Sequence, residues 1–351
     1  MAVVGELDEA YERLHRSGPE WGGNLTNHGP MAAEVMARHD RAEQIPQWLD
    51  AYVTRLDELP SAGDPIDAEN WRAALGERVG DWAAFMGRQV TERPWREILA
   101  TWWTRLLPGI AAGATHGVIR TGHAVRTLLG GDESPPALAE LAHGLAFWAA
   151  RSQTVPGVVA PSGSRAPGVA LDAIPRLSDQ DGPIRGRLAR LGEVPGWSGA
   201  LAALRPVAEP DDVPDLLAEV VAAATVRYLT HGQASPVLLV HTASAPNAVL
   251  HTLPALPREF WPQSLTAAWA ASAAITAMYA PAVAISETPP APSPPANDDP
   301  AADVLDRAFA HGDEHVMKFT DTAVEVYNRT GDHAALAAAG YSATLLPPAS
   351  F

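Results

Sequence analysis

Residues Ala301–Gly331 read AADVLDRAFAHGDEHVMKFTDTAVEVYNRTG. Apolar residues recur at helical spacing on both sides of Gly312 and Asp313. That pair reads as a helix break followed by a new N-cap, so the stretch closes the chain with one helix or two. On a wheel of about 100° per residue with His315 at zero, Val316, Phe319, Ala323, Val326 and Tyr327 gather on one side. Asp321, Glu325 and Glu314 lie on the other. His315 therefore faces inward, and Lys318 stands between the inward face and the acidic flank.

Working upstream, the same period recurs. Asp212–Thr230, DVPDLLAEVVAAATVRYLT, is a helix opened by Asp212 and Pro214. PALAELAHGLAFWAARSQ, IAAGATHGVIRTGHAVRTLLGG and PWREILATWWTRLLPG read as three more, bounded by proline or paired glycines. NWRAALGERVGDWAAFMGRQV, IPQWLDAYVTRLDEL, GPMAAEVMARHD and LDEAYERLHRS complete the N-terminal half. In GPMAAEVMARHD, Pro30 takes the first helical position, with Gly29 or Asn27 as cap. SPVLLVHTASAPNAVLHTLPAL is a buried helix disturbed at Pro246. The middle, from about Thr154 to Glu209, is rich in Pro, Gly and Ser and resists assignment. No alternation of strands and no repeat period occur. The expectation is one large all-α domain over 1–351 with the active site between helices. A proline-rich stretch at 287–303, ETPPAPSPPANDDPAAD, reads as a flexible loop within it.

Composition narrows the function classes. The chain has 351 residues, 47% hydrophobic, enough for a large core. A formal net charge of −16 argues against nucleic acid or an anionic membrane as partner. No cysteine is present, which excludes disulfides, thiolate metal sites and cysteine nucleophiles. Leu265–Ile285, LTAAWAASAAITAMYAPAVAI, is uncharged and long enough to span a bilayer. Its alanine content and Pro281 favour a buried soluble helix. The first residues lack a signal-like pattern, so a cytoplasmic protein is expected. G-x-G-x-x-G after a strand, G-x-x-x-x-G-K-[ST], H-E-x-x-H and G-x-S-x-G are all absent.

What stands out is 12 histidines and a single lysine, Lys318. Glu314, four residues earlier, offers Lys318 an ordinary surface ion pair. Arginine would serve there equally well. A role that requires lysine is one in which the amine loses its proton. His28 precedes a helix N-terminus and has a capping or packing alternative. His116, Arg120, His123 and Thr127 share one arc of a helix that is either solvated or lines a polar cavity. His241 ends an apolar run and reads as buried. His15, His39 and His333 sit among charged residues and read as surface. His311 and His315 have H-x-x-x-H spacing, but the break at Gly312 separates them. Any metal site must then be assembled from several helices.

At this point five segments, in order, resemble the questin oxidase-like family. They are NLTNHGPMAAEVM (Asn24–Met36), THGVIRTGHAV (Thr115–Val125), LAFWAAR (Leu145–Arg151), LLVHTASAPNAV (Leu238–Val249) and DEHVMKFTDTA (Asp313–Ala323). The likeness runs from about Asn24 to Asp332. The first and last segments are the most specific. His123 stands where the family pattern leads one to expect an aromatic residue, and LLVHTASAPNAV is the loosest of the five.

The resemblance implies an enzyme that oxidatively opens anthraquinone-type rings in aromatic polyketide metabolism. It implies Fe(II) held by His28, His116, His241, His315 and a carboxylated Lys318. The substrates would be a small aromatic polyketide and O2. Arg120 and His123, the latter a departure from the family pattern, are this chain's own candidates for holding or deprotonating the phenol. Among the tryptophans, most of which read as ordinary core, some could supply flat walls for the ring. Other members have been read as NADPH-dependent Baeyer–Villiger oxidases, so NADPH is a second cofactor candidate. A metal-dependent hydrolase and a non-catalytic protein binding an aromatic metabolite are the further alternatives.

Overall fold

The computed structural model describes residues 3–22, 25–284 and 299–349. Among these the protein is all-α; the sole sheet is a hairpin of Glu20–Trp21 with Leu25–Thr26. Among the described residues no helix is long and apolar enough to cross a membrane. Contacts group the chain into two compact units.

The first unit comprises Met1–Thr154 and His251–Pro257. Its helices are α1 (Val3–Leu14), α2 (Gly29–Arg38), α3 (Ile45–Tyr52), α4 (Val79–Glu92), α5 (Trp95–Leu106), α6 (His116–Leu129) and α7 (Pro135–Ala150). α7 packs against α1, α4, α5 and α6, and α2 packs against α1, α3 and α6. The α6–α7 contact is close because glycine lies on both helices. A Cβ on Gly117 would sit 2.7 Å from the Trp148 backbone, and one on Gly144 would sit 3.2 Å from that of Thr121. The apolar period of α1 places Leu7, Tyr11 and Leu14 in the core as read from the sequence.

Two helix starts differ from the sequence expectation. α4 begins at Val79, not near Asn70, because Gly76 and Arg78 adopt left-handed backbone and the preceding residues form turns. α2 begins at Gly29, one residue before Pro30, and Asn27 Oδ1 accepts the Gly29 N–H at 3.0 Å.

The second unit comprises Val155–Leu250 and Arg258–Ser350. Its helices are α8 (Pro167–Asp172), α9 (Ile184–Leu191), α10 (Trp197–Ala202), α11 (Val213–His231), α12 (Pro236–Leu239), α13 (His241–Thr252), α14 (Trp261–Tyr279), α15 (Pro300–His311), α16 (Glu314–Thr330) and α17 (His333–Leu345). The Pro/Gly/Ser-rich middle supplies the three short helices α8, α9 and α10. α16 packs on α11, α15 and α17. The break read at Gly312 is present: its φ is 77°, and Asp313 Oδ1 caps α16 by accepting the N–H groups of His315 and Val316 at 2.9 and 3.0 Å. Of the proline-rich segment, residues 287–298 lie outside the described residues.

Pro246 lies inside α13 without ending it. It has no N–H for the Thr242 carbonyl four residues earlier. That carbonyl instead accepts the buried Ser272 hydroxyl from α14 at 2.8 Å. Ser272→Ala removes this donor and leaves a buried carbonyl unsatisfied. It should lower stability by about 1–3 kcal/mol in urea denaturation. A Pro246→Ala background, which restores the backbone N–H, should recover most of the loss.

The tryptophans are mostly core. Trp82, Trp102, Trp103, Trp148, Trp197 and Trp269 are all almost fully enclosed. Several anchor their indole N–H on a backbone carbonyl, Trp82 on Ala74, Trp148 on Gly109 and Trp269 on Leu201. They are structural supports, the core role expected of most of the tryptophans.

Candidate metal-ligating residues

In the first unit, His28 and His116 are buried and meet. Their Nε2 atoms lie 2.7 Å apart and the rings are perpendicular, at 89°. The chain reaches this arrangement through unusual backbone. Gly113, Ala114 and Thr115 have φ of 52°, 58° and 75°, three successive left-handed residues before α6. For Ala114 and Thr115 this costs roughly 1–2 kcal/mol each. The turn brings the Gly113 carbonyl onto His116 Nδ1. A carbonyl only accepts, so Nδ1 carries the hydrogen and Nε2 keeps its lone pair. Ligating imidazoles are held in the same way, by an acceptor on the far nitrogen. Two imidazole nitrogens bound to one ion at about 2.1 Å sit roughly 3 Å apart when they subtend a right angle, so the pair has chelating dimensions.

In the second unit, His241 opens α13 and is fully buried, and His315 lies in the first turn of α16. Their ring centroids are 6.1 Å apart. His315 Nδ1 lies 3.6 Å from Asp313 Oδ1. Burial pushes the Asp313 carboxyl up, but the hydrogen bond and charge of His315 and the capped N–H groups outweigh it and hold it below its usual value.

Lys318 sits one turn after His315 and is only 3% exposed. The surface ion pair with Glu314 does not form: Lys318 Nζ is buried with no hydrogen-bond partner. Glu314 and Asp321, expected on a solvated flank, are buried too. Burial brings the amine down to about 7, against the opposing pull of Glu314 and Asp313. Close to neutral pH a large share of the amine is therefore unprotonated, the form that reacts with CO2.

His311 does not pair with His315 as H-x-x-x-H spacing would allow. It ends α15, on the other side of the left-handed Gly312, and Nε2 donates to the Leu346 carbonyl at 3.1 Å.

The structure gives Arg120 and His123 carboxylate partners that spacing along α6 could not reveal. Arg120 is 1% exposed and forms a bidentate pair with Glu140 of α7, Nε to Oε1 at 2.6 Å and Nη2 to Oε2 at 2.7 Å. Glu140 Oε2 also lies 2.9 Å from His15 Nε2. Burial pushes the Glu140 carboxyl up, but Arg120, aided by His15, outweighs it and holds the group at about 2. His15 is thus not a surface residue. It stacks between Tyr11 and His143, with centroids 5.9 and 4.3 Å away. Burial, with the nearby His15 and Arg120, brings His143 down to about 3. His123 meets Glu34 of α2. Sequence reasoning missed both Glu34 and Glu140. Each is a single acidic residue in an otherwise apolar helical run, MAAEVMA and ALAELAHGLAF, and that was the available signal.

No family model matches the chain, and neither a curated protein nor a solved structure matches it.

Proposed function

We propose that the chain is a questin oxidase-like, non-haem iron oxygenase that cleaves a C–C bond of a polycyclic phenol or anthraquinone-type substrate with O2. The iron ligands in this reading are His28, His116, His241, His315 and carboxylated Lys318. The observation that carries it is Lys318, the one lysine of the chain, buried without a hydrogen bond one turn from a buried histidine. A buried amine without a hydrogen bond costs stability and returns none, so its presence points to a ligand or a reacting group.

The donor chemistry fits the ion. Imidazole suits iron, and four neutral imidazoles leave the full 2+ charge of Fe(II) inside a protein interior. A carbamate on Lys318 supplies an anionic oxygen. It forms when the unprotonated Nζ attacks CO2 and releases one proton. Guanidinium keeps its charge and does not follow this path. The Gly113 carbonyl would keep His116 Nε2 directed to the ion, and Asp313 would steady His315. When bound, Fe(II) would supply O2 activation. Arg120 is engaged with Glu140, so its role in this reading is to hold α6 and α7 in place.

The test is turnover of a hydroxyanthraquinone under labelled O2, with products read by mass spectrometry. Ring-opened product carrying label, without NADPH consumption, is expected. Obligatory NADPH consumption by metal-free protein would favour a Baeyer–Villiger oxidase, and label-free anaerobic turnover would favour a hydrolase.

A further inference from the structure

α6 carries a second inward imidazole, His123, two turns beyond His116, and the first unit ties it to a buried carboxylate. His123 Nδ1 lies 2.8 Å from Glu34 Oε2. Arg126 grips the same carboxylate, Nε to Oε1 at 2.8 Å and Nη2 to Oε2 at 2.5 Å. Burial pushes the Glu34 carboxyl up, but the Arg126 charge and the His123 hydrogen bond outweigh it, so the group stays ionised. An ionised carboxylate only accepts, which decides the tautomer of the ring. Nδ1 carries the hydrogen and the basic lone pair is on Nε2. The 3.3 Å approach of Arg126 Nη2 to Nδ1 is then two donors converging on one acceptor, not a bond between them.

We propose that Arg126, Glu34 and His123 form a fixed relay in which His123 Nε2 is the base that takes the proton of a phenolic hydroxyl on the substrate. The proposal rests on the phenolic substrate class argued above. The O–H bond breaks, its electron pair stays on the phenolate oxygen, and an Nε2–H bond forms. No electron acceptor is needed for this step. Glu34 stabilises the resulting imidazolium, and Arg126 keeps Glu34 from taking the proton itself; both are positioning residues. Phenolate formation makes the ring electron-rich, which is what attack by oxygen requires. The Arg120–Glu140–His15 set has the same composition, but His15 is stacked between Tyr11 and His143 and serves packing.

The probe is 2-hydroxyanthraquinone, whose visible absorption moves to longer wavelength when its phenol ionises. Its spectrum is followed with saturating wild-type protein, as purified, from acid to alkaline pH. The ionisation midpoint of the bound probe should fall by at least about one pH unit below that of the free probe. His123→Gln should bind the probe and abolish this shift, because an amide accepts no proton at these pH values. Glu34→Gln, checked for folding by circular dichroism, should reduce it. A phenolate stabilised by the metal alone would shift equally in wild type and His123→Gln, and that result would overturn the relay. So would binding without any shift. Failure of the probe to bind the iron-loaded protein would instead overturn the substrate class, and the relay with it.

Discussion

Lys318→Arg is expected to abolish bound iron and oxygenase activity and to destabilise the metal-free fold by about 3–5 kcal/mol. The reason lies in the local environment. Lys318 Nζ is enclosed and has no hydrogen-bond partner. Arginine would place a permanent charge there with no route to neutrality. Lys318→Met separates the two effects. It should also lose iron, yet the metal-free protein should gain about 1–3 kcal/mol, because a buried unsatisfied amine has been removed. A Lys318→Arg variant that keeps its iron and its stability would show that the amine is neither buried as described nor a ligand.

The same residue predicts a pH dependence of the metal-free wild type. Lys318 titrates at about 7 in the folded chain, against an unperturbed lysine at 10.5. Between these values the unfolded chain binds the extra proton, so stability rises with pH, by up to about 1.4 kcal/mol per pH unit. The gain is complete above the unfolded value and is lost as pH falls to about 7. Lys318→Met should flatten that slope in denaturation measured across the window.

The second large effect concerns Arg120. Arg120→Met should cost about 3–5 kcal/mol of stability, because Glu140 is left charged and buried without its bidentate partner. If Arg120 instead held substrate, the variant would raise KM and leave the denaturation midpoint unchanged. Arg120→Met combined with Glu140→Leu should recover most of the lost stability, since a buried ion pair replaced by apolar groups of similar volume is often neutral.

Helix-level organisation was legible in the sequence wherever apolar period and end signals agreed. α11, α5 and α7 fall close to where proline, glycine and spacing put them. α4 starts later than its apolar spacing alone indicates, because Gly76 and Arg78 interrupt the stretch with left-handed backbone. The Gly312–Asp313 break was readable because left-handed glycine and an aspartate cap are local chemistry. Partners across helices were not readable. The arc of α6 with Arg120 and His123 has no carboxylate of its own, because their partners Glu140 and Glu34 reside on other helices. His15 looked exposed for the same reason, since its charged sequence neighbours say nothing about Tyr11 and His143. The wheel placed Lys318 at the rim of the inward face. Its full burial goes with an α16 buried on every face from Glu314 to Val324, which no single-helix pattern contains.

In the proposed reading His28, His116, His241, His315 and Lys318 are all iron ligands. The most direct measurement is elemental analysis of protein purified without chelator, beside His28→Ala and His315→Ala. About one iron per chain is expected in the wild type, with near-complete loss in each variant. No transition metal in the wild type, or full iron retention in either variant, would contradict it.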